Sequence, residues 1–178
     1  MDDIMDDLQE PCEIRVGTFT VQDQAALLAV IREIARVHNT HIICFNVEKM
    51  AGERHAKIAI HHAERACAKK TLVSNSFEME ALLYAAGSRQ CTVAVSWGIH
   101  DGFNTAFVCC CPPCNAVWND LAVHMQFTCD NQDTMTPERI ARLMALYGIT
   151  PEELDAAGGI NRVVDLVLER VALLEVYK

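Results

Sequence analysis

The stretch from Asn75-Ser76-Phe77-Glu78 to Gly87 marks out one short helix at both ends, and it does most to limit the architectures open to this chain. An asparagine side chain can accept a backbone N–H at the open end of a helix, and a glutamate three residues on can reach back toward the cap. Met79, Leu82, Leu83 and Ala86 then point inward, and Gly87 suits a left-handed stop. The same punctuation continues downstream. Ser88-Arg89-Gln90 opens another short helix ending at Gly98, and Cys114–Met125 reads as helical. Thr136-Pro137-Glu138 and Thr150-Pro151-Glu152-Glu153 start two more, each with a threonine cap and a proline at the first helical position. The last helix, Ile160–Leu174, is apolar around most of its circumference, so it is either central or covered by another protein.

The first half reads differently. From Glu13 to Thr20, Ile14, Val16 and Thr18 alternate with Arg15, Gly17 and Phe19, as in a strand. Leu27, Ile31, Ile34 and Val37 recur at helical spacing over Gln22–Val37, with Asp23 in the first turn. His41–Val47 is a short apolar strand, and Glu53–Lys70 is a second helix with Ala56, Ile58, Ala59, Ala63 and Ala66 on its apolar side. Asn104–Cys111 is a third strand, broken by Pro112-Pro113. Few strands, irregular connections and a helical C-terminal half favour an α+β fold, a small mixed or antiparallel sheet with helices packed on its faces. The chain's 178 residues suit one domain. With no internal repeat or linker, residues 12–178 are expected to form it, preceded by an acidic disordered arm over 1–11.

Hydrophobic residues are 51% and charged residues 22% of the chain, which excludes a disordered or low-complexity protein. No apolar run approaches the ~18 residues of a membrane span, and the N-terminus carries aspartates where a signal peptide carries positive charge. A soluble, cytoplasmic protein without membrane partners is expected. Nine cysteines without an export signal read as reduced thiols, not as a disulfide framework. Net charge is −9, but Asp2, Asp3, Asp6, Asp7 and Glu10 concentrate five acids in the arm and leave −4 on the body. Lys49, Arg54, Lys57, Arg65, Lys69 and Lys70 face only Glu53 and Glu64 within Lys49–Lys70. A basic patch of that size suits docking to one small piece of RNA, not coating a duplex.

Cys111-Pro112-Pro113-Cys114 is a CxxC at a strand-to-helix junction, where a helix N-terminus lowers a thiol pKa. It defines the alternative reading, a thiol oxidoreductase, although no tryptophan precedes it. The same cysteines with Cys129, His100 or His124 are conceivable zinc ligands, but only one CxxC is present and neighbouring strand residues point to opposite faces. His55, His61 and His62 read as a solvated helix face. Phosphate-cradle, dinucleotide and metalloprotease motifs are missing. The balance favours a binder without cofactor over an enzyme.

The sequence Asn75-Ser76-Phe77-Glu78-Met79-Glu80-Ala81-Leu82-Leu83-Tyr84-Ala85-Ala86-Gly87-Ser88-Arg89-Gln90 resembles the signature of the small accessory subunit of the KEOPS complex, the PRPK-binding protein family. Trp97-Gly98-Ile99-His100-Asp101-Gly102 before a strand, and Tyr147-Gly148-Ile149-Thr150-Pro151-Glu152-Glu153-Leu154 before the last helix, fit the same pattern. The resemblance spans roughly residues 13–176 and rests on the order and spacing of these pieces. Cys91, the Cys109-Cys110-Cys111 run, Pro112-Pro113 and the acidic arm depart from it.

The resemblance implies a non-catalytic subunit of the complex that makes threonylcarbamoyladenosine in tRNA. It would dock on the kinase-like ATPase subunit, stand in indirect contact with the threonylcarbamoyl transferase subunit, and help hold the 3′ CCA end of tRNA. Arg89 (phosphate or stacked base), Gln90 (base edge), Asn75, Lys69 and Lys70 are then the candidate tRNA contacts. All but Gln90 also have a structural use: a salt bridge from Arg89 to Glu78 or Glu80, a cap at Asn75, and a solvated helix end at Lys69 and Lys70. Ile140, Leu143, Met144 and Tyr147 share a helix face and are the candidate anchors for the kinase-like partner, or else a core face.

Overall fold

The computed structural model describes residues 12–176; the expected arm over 1–11 lies outside them. Four strands form one antiparallel sheet: β1 (Glu13–Val21), β2 (His41–Asn46), β3 (Gly102–Cys111) and β4 (Gln126–Thr128), in the order β2-β3-β1-β4. The fold is α+β. Its helices are α1 (Gln24–Val37), α2 (Glu53–Ala68), α3 (Phe77–Ala86), α4 (Cys91–Ala94), α5 (Asn115–Leu121), α6 (Pro137–Tyr147), α7 (Pro151–Ala157) and α8 (Val163–Val176). Among the described residues, no helix is long and apolar enough to cross a membrane.

The sheet separates two cores. Phe107, Cys109 and Cys111 point into the larger one, with α2, α3, α6 and α8. Ala106, Val108 and Cys110 point into the smaller one, with Ile31 of α1 and Val117, Trp118 and Leu121 of α5. Central strand β3 is thus buried on both faces from Ala106 to Cys111. This accounts for an unbroken apolar run where a half-exposed strand would alternate. The cysteines supply small apolar bodies to that run. Burial raises the thiol pKa of Cys109 and Cys110, and lifts that of Cys44 to about 12. These thiols are therefore protonated and inert.

The sequence punctuation is largely realised. Thr136 and Thr150 cap α6 and α7, accepting from the N–H groups of Arg139 and Glu153 at 3.2 and 3.1 Å. Gly87 and Gly148 end α3 and α6 at φ 59° and 62°, a left-handed region where a Cβ is strained. Three expectations shift. Asp23 is the cap of α1, one step outside the helix, and accepts from Ala26 N–H. The cap of α3 is Ser76, not Asn75: its Oγ accepts from Met79 N–H at 3.1 Å. That one-residue shift takes Glu78 out of capping-box register, and Glu78 pairs with His41 Nδ1 at 2.6 Å. The helix expected over Cys114–Met125 stops at Leu121, and Gln126–Thr128 becomes the edge strand β4 beside β1.

Cys12 and Cys111 form a disulfide, against the expectation of reduced thiols throughout. The register explains the pairing. Glu13 of β1 lies opposite Cys110 of β3, so Cys12 falls opposite Cys111, with Cα atoms 4.4 Å apart. Sequence patterns give strands but not their partners, so this juxtaposition was hidden.

Candidate nucleic-acid and partner surfaces

The five residues singled out for RNA lie in the two segments that join α2 to α3 and α3 to α4. Lys69 and Lys70 end α2 and are exposed, Lys70 with a left-handed backbone at φ 57°. The segment after them is tied down by Glu80, which is almost wholly buried. One oxygen of its carboxylate accepts from the Val73 and Ser74 N–H groups, each at 3.0 Å, and from the Ser74 hydroxyl at 2.8 Å. This anchor holds Asn75, exposed and freed from capping, at the entrance to α3.

Arg89 follows from the other end of α3. It makes neither expected salt bridge: its guanidinium donates to the Leu174 carbonyl at 2.8 Å, in the last turn of α8. A cation there complements the negative end of the helix. Val73, Glu80, Ser88, Arg89 and Leu174 line one small cavity, so the Asn75 segment, the Arg89-Gln90 joint and the end of α8 meet at one end of the molecule. Gln90 is exposed there. Burial raises the Glu175 carboxyl, but the hydrogen bond and charge of His62, with the charges of Arg65 and Lys69, bring it below the usual range. Arg65 and Lys69 thus flank Glu175, and Lys70 continues the run of exposed cations beyond them.

Ile140, Leu143, Met144 and Tyr147 do not form one surface. Leu143 is fully buried, and Tyr147 and Ile140 nearly so, so most of the face is core, the second of the two uses open to it. The cause is that α6 packs against α8 and against the turn Val47–Lys49. Tyr147 is a buried hub: its hydroxyl accepts from Trp97 Nε1–H at 2.8 Å and lies 2.9 Å from both the Lys49 and Ala85 carbonyls. Ile140 and Met144 instead line an apolar groove of about 410 Å³, with Met135, Pro137, Ala141 and Ile160. Ile160, 62% exposed, is the groove's most prominent apolar side chain. The sequence reading missed Met135, Ala141 and Ile160. Ile160 was legible only as part of an apolar helix, whereas the chain makes a short 3-10 turn at Ile160–Arg162 before α8 begins.

His55 is corrected from solvated to fully buried. Its Nδ1 accepts from Ala51 N–H at 3.0 Å, and its Nε2–H donates to the Ala85 carbonyl at 3.0 Å. Both bonds need the neutral ring with the proton on Nε2. Ala85 sits in the last turn of α3, so His55 and Tyr147 satisfy a carbonyl that the helix leaves open. His62 is mostly covered as well, stacked on Tyr84 at 5.2 Å and paired with Glu175 at 3.2 Å.

The CxxC is divided by the sheet. Cys111 is bonded to Cys12 and belongs to the larger core, whereas Cys114 packs beside the smaller one as a free thiol. Among the described residues, no group of three His, Cys, Asp or Glu side chains could hold a metal ion. In comparison with known proteins, the sequence matches no family model and no curated protein.

Proposed function

We propose that this chain is a non-catalytic accessory subunit of a KEOPS-type tRNA-modifying assembly. It docks on a kinase-like ATPase subunit, reaches the threonylcarbamoyl transferase subunit only through it, and helps hold the 3′ CCA end of tRNA in the cytoplasm. The observation that carries this reading is the convergence at one end of the molecule. The Lys69-Lys70 rim, the Asn75 segment and the Arg89-Gln90 joint, all within or next to the stretch that bears the family resemblance, lie around the end of α8. Exposed cations beside exposed amide side chains are what an unpaired RNA end requires, phosphate neutralisation together with hydrogen bonding to splayed bases. The apolar groove on α6 supplies a separate surface for a protein partner.

Titration with tRNA, and with tRNA lacking its CCA, tests the RNA half. The intact tRNA is expected to bind more tightly. Lys69→Gln with Lys70→Asn, the latter because asparagine tolerates a left-handed backbone, should lower the slope of log affinity against log salt by about 1.4, two single-strand phosphate contacts. Equal binding of the two tRNAs removes the CCA assignment. The alternative is a thiol oxidoreductase using Cys111 and Cys114, although the disulfide of Cys111 is with Cys12 and not with Cys114. Catalysed reduction of insulin by the purified chain would establish it in place of the adaptor reading.

A further inference from the structure

A second groove, of about 540 Å³, runs along the outer side of edge strand β2 between α1 and α3. Its floor is apolar, with Leu28 and Ile31 of α1, Ile42 of β2, and Met79 and Leu82 of α3. Its charged lining is Arg32, Arg36 and His41 against Glu78 alone. Arg36 shares its charge with Glu33 in a pair that is 72% and 59% exposed, and His41 with Glu78. Exposed pairs of this kind are weak and can admit a second carboxylate. The groove is therefore apolar below and locally cationic at one end, on a body that is acidic overall.

This chain contains a segment of the opposite character close by. Residues 1–11 carry Asp2, Asp3, Asp6, Asp7 and Glu10 with no basic residue, interleaved with Ile4, Met5 and Leu8. Their point of attachment is fixed. Cys12 is bonded to Cys111, and Cys111 is the register partner of His41 at the start of β2. With 4.4 Å between the first pair of Cα atoms and about 5 Å across a strand pair, the segment starts about 10 Å from His41. Eleven residues can span up to ~36 Å, so the segment can run the length of the groove from its Arg36–His41 end. The other open grooves suit it less. The one beneath β1 and β4 sets Glu53, Asp130 and Asp133 against Arg15 alone, the one at the start of α1 carries Asp23 and Asp101, and the one on α6 has no cation.

We infer that residues 1–11 dock in cis into the groove between α1 and α3, with Ile4, Met5 and Leu8 on its apolar floor and their flanking carboxylates toward Arg32 and Arg36. The inference is independent of the tRNA reading. It gives the arm an occupied site on its own domain, one that any other ligand of that groove has to displace.

Limited digestion of the full chain with an Asp/Glu-specific protease, followed by mass spectrometry, measures it. Cleavage within residues 2–10 is expected about tenfold or more slower than in a synthetic peptide of residues 1–11. Arg32→Glu with Arg36→Glu, both exposed positions, should restore the peptide's rate, with thermal unfolding confirming an intact fold. Ile4→Ser with Leu8→Ser makes the same test from the arm side and leaves the folded domain untouched. Protection should not depend on protein concentration. Cleavage of the unaltered chain at the peptide's rate overturns the inference, as does protection that survives both double variants. Protection that grows with concentration also overturns it, by placing the arm on a second copy.

Discussion

Leu143→Glu is expected to leave no folded protein, while Ala141→Glu and Ile160→Glu fold normally and lose the kinase-like partner. Leu143 has no exposed surface in the larger core, so a carboxylate there is desolvated without a partner. Together with the lost packing, the cost exceeds about 4 kcal/mol, a large share of the 5–15 kcal/mol that holds a typical domain. Ala141 lies on the same helix but faces out over the groove, and Ile160 is largely exposed at its edge. A charge at either is already solvated, and surface changes of this kind stay within roughly 0.5 kcal/mol. Far-ultraviolet circular dichroism and co-purification with the kinase-like subunit read the two effects separately. If the surface variants fold and still bind, the α6 groove is not the docking site.

The second large effect is acid destabilisation through His55. Burial, only partly offset by the bond to the Ala85 carbonyl, brings the folded-state pKa down to about 4 from the ordinary 6.5 of an imidazole. As pH falls the unfolded chain takes up this proton first, so it gains relative to the folded one. The contribution is complete above about pH 6.5, falls progressively below it, and is lost by about pH 4, amounting to about 3 kcal/mol. His41 acts in the opposite sense: the hydrogen bond its Nδ1–H donates to Glu78 raises its pKa, so its contribution is present in acid and fades as pH rises through the raised value. Urea unfolding at pH 7, 5.5 and 4.5 measures the sum. His55→Gln should be less stable at pH 7 and show a shallower loss toward pH 4.5. An unchanged slope in that variant would remove His55 as the cause.

What the sequence disclosed about this molecule follows from the range of the interactions involved. Capping at Thr136 and Thr150, the glycine stops at Gly87 and Gly148, and the strands over 13–21, 41–46 and 102–111 depend on residues a few positions apart, and a linear reading finds them. The disulfide of Cys12 with Cys111, the burial of His55 and the clasp of Arg89 on Leu174 join residues 30 to 99 positions apart, and no local pattern encodes them. Leu143 and Ala141 show the same limit on one helix. The heptad-like spacing identifies an apolar face but does not say whether the chain's own α8 or another protein covers it. Asn75 and Ser76 are both competent caps, and only the backbone decides between them.

The order of the sheet has a consequence for how this polypeptide emerges during synthesis. β1 is a central strand of the sheet but the first of its four strands to leave the ribosome, and both its hydrogen-bonded neighbours, β3 and β4, come at least 80 residues later. β2 likewise has only β3 as a mate. Until Cys111 is out, neither early strand has a ladder partner, and Phe19 and Val21 lack most of the layer that covers them, which comes from β3 and α5. Such long-range closure slows folding and leaves strand edges open to wrong pairing. Nascent chains arrested before β3 should accordingly depend on chaperones, and release of the third strand is the event that lets the whole sheet condense.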